Sequence, residues 1–310
     1  MINLCRIFFL IYLFAFGNQS FSAVPIDLRL LVDVSGSMKK SDPNSLRSPA
    51  TALLAALMPE DSLAGIWLFG TNVRPIVPYG NVDNRWNALE KPLARSIGDY
   101  DNFTHIENAL VSALSVKKPN SKLACHIILL TDGIVDVAGG KKASEESKNR
   151  ITSKLLPKVK EADCRLHTIA LSPRADGKLL TRMAIETGGL YTRISDASDL
   201  IPVMIDALEL AIRSQQLPVS EDNFLVDEAI NQVRILRIKN DDKSPMTLIA
   251  PNNTEFNFNK IPNKSTWYNN KSFELVVINE PMRGNWSISG GFGNNDRILI
   301  DSPIKLEIND

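Results

Sequence analysis

Four stretches of this chain, "LRLLVDV", "LAGIWLFG", "CHIILLTD" and "RLHTIALS", are almost continuously apolar and only seven or eight residues long. Runs of that kind suit strands buried on both faces, which occur when a parallel sheet is covered by helices on each side. The intervening and following segments agree. "PATALLAALM", "HIENALVSALSV", "ITSKLLPKVKEA", "KLLTRMAIETGG" and "SDLIPVMIDALELAIRS" place apolar residues at helical spacing, with Pro49 fitting a first turn and Gly188-Gly189 a stop. The alternation predicts an α/β domain over 24–216, built on a doubly wound, mostly parallel sheet.

Past Leu217-Pro218 the pattern changes. "QVRILRI", "SFELVVI", "NWSISG", "DRILI" and "IKLEI" are short, partly alternating runs separated by clusters such as "APNNTEF" and "IPNKST". Their spacing predicts a smaller all-β sandwich of immunoglobulin-like type over 217–310, with Trp286 as an anchor between sheets and "GGFGNN" as a turn. With 310 residues and 44% hydrophobic content, the chain can build both cores.

The first 22 residues read as a secretory signal peptide: Arg6, an apolar run over 7–16, then Ser20 and Ser22 ahead of a cut before Ala23. The run falls short of the roughly 20 residues that span a bilayer, and no 18-residue apolar stretch follows, so the mature chain is expected to have no membrane span. An exported location, periplasmic or extracellular and in a bacterial setting, follows. Lys+Arg and Asp+Glu both number 35, and no basic block stands out, which argues against nucleic acid as a partner.

In an open α/β sheet, ligands sit beyond the carboxyl ends of the strands. Asp33, Ser35 and Ser37 of "DVSGSM" stand there after the first apolar run, and Asp132 of "ILLTDGIVD" stands there after the third, with Gly133 read as allowing a tight turn. Such hard oxygens, without His or Cys, suit Mg²⁺, or Mn²⁺ or Ca²⁺, rather than zinc. The three histidines, His105, His126 and His167, lie in no metal-ligand spacing, and His126 and His167 read as structural. No GxSxG, GxxxxGK[ST] or GxGxxG signature is present, so the chain is not expected to be an enzyme.

The DxSxS and TDG motifs, on this alternating pattern, resemble the von Willebrand factor A domain with its metal ion-dependent adhesion site. The resemblance covers about residues 27–214. It adds a threonine from a loop before a mid-domain helix, which points to Thr104 in "DYDNFTHIENALVSAL". It implies a metal set of Asp33, Ser35, Ser37, Thr104 and Asp132, in which the hydroxyls meet the ion and the carboxylates act directly or through water. It further implies a protein partner that offers Asp or Glu to the metal, hence an adhesion or protein-binding role; the alternative is an envelope scaffold in which the ion only stabilises. Lys39 and Lys40 read as solvated loop charges or as attractors of an acidic partner. The family's strand order would make the strands of Cys125 and Cys164 neighbours. Each cysteine lies seven residues before the end of its run, at Asp132 and Leu171, so the two could form a disulfide.

Overall fold

The computed structural model describes residues 25–59, 61–83, 86, 89–116, 123–212, 214–239 and 244–301. The expected signal peptide, its cleavage point and the expected strand "IKLEI" lie outside them. Six strands form the first sheet: β1 (Ile26–Asp33), β2 (Leu63–Phe69), β3 (Val73–Asn81), β4 (Ala124–Thr131), β5 (Cys164–Ala170) and β6 (Tyr191–Arg193). Their order is β3-β2-β1-β4-β5-β6, parallel throughout except for β3, which runs antiparallel to β2 on the edge. Pro75 and Pro78 can sit in β3 because an edge strand need not donate on its outer side.

Both faces are covered. On one side, Leu28, Leu30 and Val32 of β1 pack with α2 (Arg47–Ala56), α3 (Glu90–Ile97) and α8 (Leu200–Ile212). On the other, Leu31 and the alternate residues of β4 and β5 pack with α4 (Ile106–Ser115), α6 (Leu156–Glu161) and α7 (Gly177–Glu186). The segment before α6 is α5 (Gly140–Arg150), continued by a π turn over Ile151–Leu155 just ahead of Pro157. Its sequence is nearly all polar and buries only Ser144 and Ser147, so no hydrophobic period announces it.

The C-terminal region comprises two antiparallel sheets. One has the order β11-β10-β14-β8: β8 is Asn223–Val226, β10 Thr247–Ile249, β11 Glu255–Phe256 and β14 Gly284–Ser289. The other has the order β12-β13-β9-β15-β7: β7 is Gln215–Gln216, β9 Gln232–Ile238, β12 Ser265–Asn269, β13 Phe273–Asn279 and β15 Arg297–Asp301. Pairing in this region thus begins at Gln215, two residues ahead of the composition change. A common core lies between the sheets, with Trp286 buried against Phe224 and Phe256 and its Nε1 donating to Met282 O at 2.7 Å.

The second face of the five-stranded sheet is also buried. Leu236, Phe273, Leu275 and Leu299 join the core formed by α2 and α8, and Arg297 reaches Asp206 of α8 at 3.3 Å. This explains why "QVRILRI" and "SFELVVI" are more continuously apolar than a solvent-facing antiparallel sheet would need.

Candidate metal centre

Chain order makes the site. β1 is flanked by β2 on one side and β4 on the other, so the connections leaving β1 and β4 part to opposite faces and open a crevice beyond their carboxyl ends. Ser35, Gly36, Ser37, Thr104, Asp132 and Gly133 line a cleft there of about 480 Å³.

The loop after β1 enters a short helix, α1 (Met38–Ser41), and Ser37 precedes it without capping it. Its hydroxyl instead donates to Asp132 Oδ1 at 2.7 Å and lies 3.0 Å from Ser35 Oγ. Ser41, one helical turn after Ser37, donates to the other oxygen of Asp132. Thr104 arrives from a third loop. Its backbone forms a two-way bridge with Asp136 (2.9 and 3.2 Å), while the flanking Asp101 and His105 amides donate to Val34 O (2.7 Å) and Gly70 O (3.1 Å).

The chain bends at Asp132 and Gly133 as read from sequence, but Gly133 is not among the residues with positive φ, so the bend itself does not require glycine. A Cβ there would come 3.3 Å from Thr104 Oγ1, so the glycine allows the TDG backbone to pass close to that hydroxyl.

Asp33 sits apart from the other four. It is fully buried, does not line the cleft, and has both oxygens engaged: Oδ1 accepts from Ser35 N at 2.7 Å and Oδ2 from Thr131 Oγ1 at 2.5 Å. Burial pushes its carboxyl up to about 6, against the opposing effect of these hydrogen bonds. It orients the Ser35 loop from behind. Beneath the same loop, the buried Arg47 guanidinium donates to Asp33 O at 2.5 Å and to Asp42 at 2.7 Å.

Asp101 works in the threonine loop. It accepts from Thr71 N, Thr71 Oγ1 and Asn102 N at 2.9, 2.5 and 2.8 Å. Burial would raise its carboxyl, but these donors outweigh it and hold the group below its usual range. Gly70 is required beside it, because a Cβ there would lie 2.4 Å from Asp101 Cβ. His105 caps α4, its Nδ1 accepting from Asn108 N at 3.4 Å.

The structure therefore gathers four of the five expected residues around one cleft and sets Asp33 behind it. It also adds lining residues that no motif marks: Lys40, Asn102, Ile134, Asp136 and Arg174. Of the paired lysines, Lys39 turns away to lie 4.9 Å over the Tyr100 ring. Ser41 carries no motif of its own and reaches Asp132 because α1 sets it one helical turn after Ser37.

Among the described residues no group of three His, Cys, Asp or Glu could hold a metal by itself. The donor set here is three hydroxyls and one carboxylate. Hard, mostly neutral oxygens around one point fit a divalent cation of the Mg²⁺, Mn²⁺ or Ca²⁺ kind.

Away from the cleft, Cys125 and Cys164 are register partners on β4 and β5 and form a disulfide, with Cα atoms 4.4 Å apart.

The von Willebrand factor type A domain model matches residues 27–204. Among solved structures, a von Willebrand factor type A protein from Catenulispora acidiphila is 12% identical, with a TM-score of 0.49, over 89% of this chain and 64% of its own. The ArnB paralog VWA2 from Sulfolobus acidocaldarius is 17% identical, with a TM-score of 0.45, over 91% of this chain and 67% of its own. Proximal thread matrix protein 1 from the mussel byssus, with zinc in its MIDAS motif, is 15% identical, with a TM-score of 0.49, over 68% of this chain and 51% of its own. The chain thus spans less than two thirds of the Catenulispora protein and about half of the mussel protein. No curated protein matches the sequence significantly.

Proposed function

The chain belongs to the von Willebrand factor type A domain family, whose members often serve as protein-interaction or adhesion modules with a divalent ion at this position, and we propose that it is a metal-dependent protein-binding module that captures a partner's Asp or Glu. The observation that carries this reading is the meeting of Ser35, Ser37, Thr104 and Asp132, from three separate loops, on one open cleft.

These four residues would hold the cation, and Asp33 would keep the Ser35 amide and the loop in place. A divalent ion coordinated mainly by neutral oxygens stays electrophilic and supplies an attachment point for an external carboxylate. Asp132, now accepting from Ser37 and Ser41, brings the charge that draws the cation, whereas the hydroxyls set the geometry. Mg²⁺ is the ion we favour, with Mn²⁺ or Ca²⁺ as substitutes.

Binding rather than catalysis is supported by the surroundings of the hydroxyls. Ser35 Oγ neighbours Ser37 Oγ, and the His105 ring is occupied as a helix cap. Export to the periplasm or cell exterior is supported by the signal-like first 22 residues. No helix among the described residues is long and apolar enough to cross a membrane.

Calorimetry with Mg²⁺ and capture of envelope proteins, each with and without chelator, test the proposal. Asp132→Ala should lose the ion and the partner together while the fold persists, and Thr104→Ala should keep more of the ion, because water can replace one neutral oxygen. Metal-independent capture by Asp132→Ala would overturn the mechanism in favour of a scaffold role.

A further inference from the structure

The rim of the cleft carries features that holding a cation does not require. Lys40 and Arg174 line it, together with Asp136 and the side chain of Ile134, which is 52% exposed.

Arg174 belongs to the loop after β5. That loop is fixed by Arg174 N donating to Ser172 Oγ at 3.1 Å and tied to the TDG loop by Asp176 N donating to Gly133 O at 3.4 Å. Of the acids near the two cations, Asp136 shares the lining with them, and the other three are committed elsewhere. Asp176 pairs with Lys148 at 2.9 Å and caps α7 through Leu179 N. Asp42, two residues from Lys40, is buried against Arg47, and Asp132 is held by Ser37 and Ser41. Among the described residues neither Lys40 nor Arg174 forms an ion pair, and both are exposed.

Within the lining, Lys40 and Arg174 balance Asp132 and Asp136. The Asp33 carboxylate lies directly behind the Ser35 loop, so a bound dication leaves the site with one net positive charge, and a carboxylate on the ion would still leave the rim cations Lys40 and Arg174 without an ion-pair partner. Ile134 is one of several exposed aliphatic side chains, and what sets it apart is its place in the cleft lining, where a segment bound to the ion would meet it.

Resting on the metal-dependent reading above, we infer that the partner presents two carboxylates and an aliphatic side chain within one short segment: one acid for the ion, the second for Lys40 and Arg174, and the aliphatic group for Ile134. Rim charges of this kind set register and speed association. The planar guanidinium of Arg174 can take a carboxylate through two parallel hydrogen bonds.

The test uses the full chain in Mg²⁺ and three labelled, end-blocked peptides, read by fluorescence anisotropy. One contains Asp-Leu-Glu, one Asp-Leu-Gln and one Asp-Gly-Glu. The first should bind about fivefold more tightly than the second, an advantage that shrinks as salt screens the rim. Arg174→Gln and Lys40→Gln should each bring the ratio between those two peptides towards one. Ile134→Ser should erase the preference for the first peptide over the third. A ratio of one in the unaltered protein, or one indifferent to both rim substitutions, would overturn the inference while leaving the metal site standing. If chelation changes the binding of none of the peptides, the metal-dependent reading fails and this inference with it.

Discussion

The two ends of the six-stranded sheet are built on opposite plans. Over the amino-terminal halves of β1, β4 and β5 the chain is closed by covalent and buried contacts: the Cys125–Cys164 disulfide, the stacked His126 and His167 rings, and the Arg29–Asp27 ion pair on β1 at 2.7 Å. At the carboxyl ends it is open. Three loops meet through isolated backbone bridges and hydroxyl contacts around a cleft. One end resists separation, while the other can exchange its hydrogen bonds for those of a ligand without disturbing the core, because the exchange occurs at the rim.

The open end still rests on one buried support, and removing it should have the largest effect. Arg47→Ala would leave Asp42 buried with only the Leu46 and Arg47 amides as donors, at 2.6 and 3.1 Å, and would free the Asp33 carbonyl. A loss of about 3–5 kcal/mol in denaturant unfolding is expected, as for other broken buried pairs. A variant close to wild-type stability would mean that the DxSxS loop holds itself.

Next is the closed end. Replacing both Cys125 and Cys164 with Ala should cost about 2–4 kcal/mol by releasing a constraint on the unfolded chain, and cation affinity should change little. Similar losses of stability and cation affinity would show that the two ends are not independent.

Acid should separate them further. Leu190 N donates to His167 Nδ1 at 3.3 Å, so the His167 proton sits on Nε2, which lies 3.0 Å from His126 Nδ1. Burial lowers His167 from 6.5 to about 4. Below 6.5 the unfolded chain takes up a proton that the folded chain refuses, so this contribution is present above 6.5 and is lost as pH falls towards 4. The loss could reach about 3 kcal/mol, and His167→Gln should flatten that part of the stability profile. Asp33 runs the other way. Its raised value means that the folded chain holds the extra proton, so its contribution declines as pH rises from 3.8 to about 6.

The smallest expected effect is the most local. Gly133→Ala should press on Thr104 Oγ1 and shift it by tenths of an ångström, weakening Mg²⁺ binding by about 1 kcal/mol in calorimetry. Unfolding should barely change, since the contact lies at the cleft rather than in the core.

How far the fold can be read from residues follows from the same contrast. Four strands of the first sheet, β1, β2, β4 and β5, were legible as apolar runs and most of its helices through their period, whereas the three residues of β6 are too few to carry a pattern. β3 was not, because its two prolines and half-exposed pattern resemble a loop, and α5 was not, because it buries no apolar side chain. The motif positions Asp33, Ser35, Ser37 and Asp132 could be named because the chemistry of a hard cation restricts residue type at the ends of buried strands, and Thr104 could be added through family resemblance. Residue type carries no information about depth. Asp33 and Asp132 read alike, yet strand register and the Thr131 hydroxyl sink one behind the cleft, while the crossing of loops brings the other to its floor.

The same holds for Cys125 and Cys164, equally spaced from the ends of their runs in the sequence but joined only because β4 and β5 pair in that register. It holds again for Lys40, Ile134 and Arg174, which no local pattern relates. What the chain encodes locally is burial and ligand chemistry, since each depends on a residue and its near neighbours. Which of those residues face one another is decided by strand order and loop crossings, because these bring together positions as far apart in the chain as 37, 104 and 132.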